Sequence, residues 1–81
     1  MENRVAVVAI IIQENRQATA VNEILHGYAE YIIGRMGLPY RQKSMNIISI
    51  IVDAPHDMIS ALSGKIGRLD GVSAKTLYSQ V

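Results

Sequence analysis

Residues 5–12 read VAVVAIII and residues 45–52 read MNIISIIV, two β-branched runs in which apolar and polar residues do not alternate. A strand sends successive side chains to opposite faces. In the first run Val5, Val7, Ala9 and Ile11 therefore share one face, and Ala6, Val8, Ile10 and Ile12 share the other. In the second, Ile48, Ile50 and Val52 lie with Asn46, while Met45, Ile47 and Ile51 lie opposite them with Ser49. Strands that are apolar on both sides belong in the middle of a sheet whose two faces are both covered. The first run is too short to cross a bilayer, and no small-residue cleavage site follows it, so no membrane association is expected.

The rest of the chain supplies two amphipathic helices and two weaker strands. Glu14-Asn15-Arg16 is a polar break in which Asn15 can cap a helix. Beyond it Ala18, Val21, Leu25 and Tyr28 recur at helical spacing, with Ile24 beside them. Gln17, Asn22, Glu23 and His26 lie off that stripe, and the helix is expected to end near residues 27–29. A short strand over 31–36 follows, stopped by Gly37-Leu38-Pro39, with Gly37 expected at positive φ. The polar segment 40–44 leads into the second apolar run. Asp53-Ala54-Pro55 then opens a second helix, along which Ile59, Leu62, Ile66 and Leu69 recur. Asp70-Gly71 turns the chain into a last strand over 72–79.

This β-α-β-β-α-β order predicts an α+β fold of the ferredoxin-like kind. It is a single domain over 1–81, with a four-stranded antiparallel sheet and both helices on one face. Right-handed crossovers place the two apolar strands in the centre. The helices then cover one face only, and the other remains apolar and bare. Covering about four of its side chains would contribute on the order of 6–12 kcal/mol per subunit before association costs. We therefore expect a homo-oligomer, a dimer or a tetramer, with Met45, Ile47 and Ile51 at the interface.

Composition narrows the function. With 8 basic and 7 acidic residues the net charge is +1, which offers nothing to a polyanion, so no direct DNA binding is expected. The absence of cysteine removes disulfides, thiolate nucleophiles and cysteine metal sites, and fits a cytoplasmic location. There are 12 Ile and 7 Val but neither Phe nor Trp, so the core is aliphatic.

No catalytic constellation stands out. His26 and His56 have no His or Cys at ligand spacing and read as solvated helix residues, so no metal and no cofactor are expected. Asp53, Asp57 and Asp70 are explained by helix starts and a turn, and no serine stands in a nucleophile-elbow context. The most unusual stretch is Gly34-Arg35-Met36-Gly37-Leu38-Pro39. Its glycines permit close backbone approach, and arginines offer forked donors to a carboxylate or phosphate. Gly34, Arg35, Gly37, Tyr40 and Arg41 are the candidate residues for a small effector, placed near a subunit boundary. The same stretch also suits an ordinary hairpin with a solvated basic tip.

Several stretches carry a family resemblance: Asn22-Glu23-Ile24-Leu25-His26, Ile32-Ile33-Gly34-Arg35-Met36-Gly37, Pro39-Tyr40-Arg41, Ile47-Ile48-Ser49, and residues 59–69 (ISALSGKIGRL). Together they resemble the small regulators encoded beside iron-only hydrogenase maturation systems. The resemblance implies a fold similar to ACT domains and to the C-terminal domain of the nickel-responsive repressor. Where that repressor domain has its nickel ligands, this chain has Met36, Leu38 and Ser44, which are not credible nickel donors. The repressor's ribbon-helix-helix is likewise not expected here, since the first strand begins by Val5. The resemblance thus implies an ACT-like module that assembles and acts through a small effector or a protein partner, with a link to hydrogenase expression or maturation. The alternatives are a purely structural interaction module and, behind both, a small ferredoxin-like enzyme.

Overall fold

The computed structural model describes residues 2–80. Strand β1 (Asn3–Ile12) leads through a 3-10 turn (Asn15–Gln17) into helix α1 (Ala18–Gly27). A second 3-10 turn (Ala29–Tyr31) precedes strand β2 (Ile32–Tyr40), and a third (Arg41–Lys43) joins it to strand β3 (Met45–Pro55). Helix α2 (His56–Gly67) and strand β4 (Val72–Tyr78) complete the chain. The sheet order is β2-β3-β1-β4 and every pairing is antiparallel. This is the ferredoxin-like α+β arrangement, with the two apolar strands at its centre.

Alternation decides which side chains meet the helices. Ala6, Val8, Ile10 and Ile12 of β1 and Ile48, Ile50, Val52 and Ala54 of β3 are buried. From the other layer Val21 and Leu25 of α1, Tyr28 just beyond its end, and Ile59, Leu62 and Ile66 of α2 close on them. Burial of each large aliphatic side chain contributes about 1.5–3 kcal/mol, so the core rests on many such residues rather than on one aromatic anchor.

The strands run further than the sequence pattern suggests. β2 continues through Gly37, Leu38 and Pro39 to Tyr40, which pairs with Met45. An edge strand tolerates proline, because one side of its backbone makes no ladder bonds. Gly37 consequently lies in extended backbone and not at positive φ. The left-handed positions fall instead on Ser44 (φ 52) and Gly71 (φ 73). Ser44 ends the 3-10 turn of the β2–β3 hairpin, where a left-handed residue redirects the chain into β3. β3 likewise extends through Asp53 and Ala54 to Pro55, held by pairing with Val5, Arg4 and Asn3. Asn15 does not cap α1. It begins the preceding turn, and its side-chain oxygen accepts a hydrogen bond from Asn46 Nδ2 at 3.0 Å. A register shift between Ile32 and Gly34 leaves Ile33 as the extra residue of a bulge, 65% exposed.

Candidate functional site

Two surfaces carry features that packing alone does not require. The first is the sheet face away from the helices. Register places four residues in each row across it. Gly34, Ile51, Val7 and Leu77 form one row, and Leu38, Ile47, Ile11 and Ser73 another. Between them run Met36, Ser49, Ala9 and Lys75. Two apolar ridges therefore flank a trough of mostly smaller or polar side chains. Leu77 is 73% exposed, Met36 69% and Leu38 55%, and Val7, Ile11 and Ile51 are each about two-fifths exposed. No element among the described residues covers this face.

The second surface is a cleft on the helix side, between α1 and the edge strand β2. Ala18, Asn22 and His26 stand four residues apart and so form one row along the helix. Ile32, Arg35, Gly37 and Pro39 face them from the strand, above a floor of Ile12 and Ile48. Arg35 donates a hydrogen bond from Nη2 to Asn22 Oδ1 and so bridges the two walls. Asn22 is itself oriented by donating from Nδ2 to the carbonyl of Ala18 at 2.9 Å. The bridge separates a chamber of about 260 Å³, on the Gly37 side, from one of about 310 Å³ beside His26.

The structure divides the residues singled out from the sequence. Arg35 and Gly37 line the cleft. Gly34 lies on the opposite side of the sheet, where a side chain would stand 3.6 Å from Ile51 Cδ1. Tyr40 is paired with Met45, and its hydroxyl donates to Gln42 Oε1 at 3.1 Å. Arg41 lies in the exposed turn after it. The five residues thus occupy two faces and a hairpin tip rather than one pocket. Met45, Ile47 and Ile51 do share the bare face. Sequence reasoning missed the helical wall of the cleft. Asn22 and His26 were visible only as residues off the apolar stripe, and nothing in their spacing indicates that Arg35 reaches them.

The comparisons with known proteins bear on the whole chain. A family model described as "TM1266-like: Iron-only hydrogenase system regulator, putative" matches residues 4–76. The solved structure of the uncharacterized protein TM1266 from Thermotoga maritima is similar at 36% sequence identity and a TM-score of 0.93. The match covers 98% of this chain and all of that one. Among curated proteins none matches.

The chain belongs to the TM1266-like family.

In this TM1266-like chain the titratable side chains are dispersed. Among the described residues no three of His, Cys, Asp and Glu come together as a metal would require. His56 stacks on Tyr78, with ring centroids 5.0 Å apart, and its Nδ1 is 4.0 Å from the Asp57 carboxylate. The Arg4 guanidinium also lies against Tyr78, 4.8 Å from the ring centroid, and donates to the Ser79 carbonyl at 2.8 Å. These contacts tie the start of α2 to one end of the β1–β4 ladder. His26 sits instead beside the cleft. Met36 and Leu38 present their apolar side chains on the bare face, and Ser44 shapes the hairpin. No helix among the described residues is long and apolar enough to cross a membrane.

Proposed function

We propose that this chain is a non-catalytic, ACT-like regulatory or adaptor module of an iron-only hydrogenase system. It works in the cytoplasm, as copies assembled through the bare sheet face, and responds to a small effector or a protein partner. The family supplies the hydrogenase context. The observation that supports the mode of action is the pair of apolar ridges on a face that no element of the described chain covers. Exposed contiguous apolar surface of this kind marks an interaction site. A second copy presents the same two ridges, and two sheets stacked about 10 Å apart can interdigitate them. A net charge of +1 gives the module little affinity for DNA by itself, so control of transcription would pass through a partner that reads the operator.

Light scattering on a dilute sample tests the assembly. A mass of at least two chains is expected at micromolar concentration, and a stable, well-folded monomer would overturn the reading. A purely structural interaction module would assemble equally well but answer to no small molecule. A thermal-shift screen separates the two, because a ligand bound only by the folded state raises Tm by mass action.

A further inference from the structure

We infer that the cleft between α1 and β2 is a binding site for a small aliphatic monocarboxylate, with Arg35 as its anion-recognising residue. This rests on the reading of the chain as an effector-responsive module, but not on its assembly.

Three observations carry the inference. First, the lining of the two chambers is electrostatically one-sided. It contains Arg35 and His26 but no aspartate or glutamate. Among the described residues no carboxylate pairs with Arg35. Its hydrogen-bonding partner is the neutral Asn22, which orients the guanidinium without neutralising it. A guanidinium carries five N–H donors in a fixed fork that matches a carboxylate, so further donors remain for an incoming anion.

Second, the rest of the cleft is suited to a hydrocarbon chain. Ile12, Ile48, Ala18 and Pro39 line the 260 Å³ chamber beside the arginine. Gly37 faces the same space, and a Cβ built on it would meet nothing within 4 Å. This leaves room for a few carbon atoms next to the charged end. The single permanent cation and the apolar floor favour a monoanion with a tail over a heavily hydrated dianion such as phosphate.

Third, the walls are held at a set separation. Asn46 Nδ2 ties the start of β3 to Asn15, ahead of α1, while the Arg35–Asn22 bridge spans the middle. A site whose donors are oriented before binding loses less entropy when the ligand arrives.

The test is an amide-resolved NMR titration of the full chain with three probes: isovalerate, the uncharged isovaleramide and inorganic phosphate. Isovalerate should give saturable shifts at Asn22, Arg35 and Gly37, with a Kd of about 1 mM or below. Isovaleramide and phosphate should each bind at least about tenfold more weakly. Arg35→Gln should weaken isovalerate by about tenfold to a hundredfold, the loss expected for a charge-assisted hydrogen bond. Should that variant fail to fold, Gly37→Val fills the chamber from an unstrained backbone position and should weaken isovalerate similarly. The inference is overturned by the absence of saturable shifts, by phosphate or isovaleramide binding as well as isovalerate, or by normal affinity in the folded variants. Light scattering on the same samples reports assembly separately, so a monomer that still binds isovalerate would refute the assembly and leave the site standing.

Discussion

Val7 and Ile51 stand directly opposite each other on the two central strands, side by side on the face that no helix covers. Each is nearly two-fifths exposed, whereas Val8 and Ile50, the next pair along the ladder, are completely buried. One step along a strand thus separates the interior from an apolar surface. Leu77 and Gly34 extend the exposed pair to the two sheet edges. Gly34 lacks a side chain where one would rest against Ile51, and so leaves that flank of Ile51 open.

Ile51→Lys should therefore split the proposed assembly while preserving the fold. In the separated subunit the ammonium reaches water along an aliphatic stem, which costs little. In a stacked pair it would be drawn out of water, and desolvating a charge costs several kcal/mol, which Asp53, two residues along on the same face, offsets only in part. Light scattering should show a monomer whose far-ultraviolet circular dichroism matches the parent. An unchanged mass would mean that the copies meet elsewhere.

Gly71→Ala should destabilise the protein by about 1–3 kcal/mol. The residue sits at φ 73, and a Cβ there would collide with Glu14 Cγ. Its carbonyl also accepts from the Gln13 N–H at 2.7 Å, so the turn cannot relax without loosening the end of β1. Gly37→Ala is the control. It occupies extended backbone facing open space, and should change stability by no more than about 0.5 kcal/mol. Urea denaturation midpoints compare the two, and equal midpoints would refute the argument from backbone geometry.

Thr76→Val should leave stability unchanged or raise it by up to about 1 kcal/mol. Thr76 lies opposite Val8 on the helix side of β4, and its hydroxyl is buried without a hydrogen-bond partner. A buried polar group with no partner costs its desolvation, and an apolar group of the same shape removes that cost. A calorimetric loss of more than about 1 kcal/mol would show that the hydroxyl is satisfied in solution.

Much of the fold was legible because its signals are local. The parity of the β-branched runs identified both central strands and grouped Ala6, Val8, Ile10 and Ile12 on one face, but only the packing of the helices decides that this face is the buried one. Parity likewise grouped Met45, Ile47 and Ile51, and the register of β3 with its neighbours places them on the bare face. Turn chemistry was less reliable. Gly37 and Pro39 look like a strand end, yet both extend β2, because an edge strand asks less of its backbone than a central one. Ser44 takes the left-handed position that the residue types would have assigned to glycine. Among the candidate ligand residues, Gly34 and Arg35 are neighbours in sequence but face opposite sides of the sheet. Proximity along a strand therefore argues against a shared pocket.

By itself the sequence determined the order of elements, the aliphatic core and the existence of a second apolar face. Each follows from side-chain periodicity within a segment, which the backbone geometry of strands and helices enforces locally. Only the tertiary structure decided that Arg35 spans to Asn22, and that Ala18, His26, Gly37 and Pro39 surround the gap between them. The reason is physical. α1 packs Val21 and Leu25 into the core, and the width of the space left beside it depends on how far the edge strand β2 reaches past the helix. That distance is set by the packing of the whole domain, and no spacing within either segment encodes it.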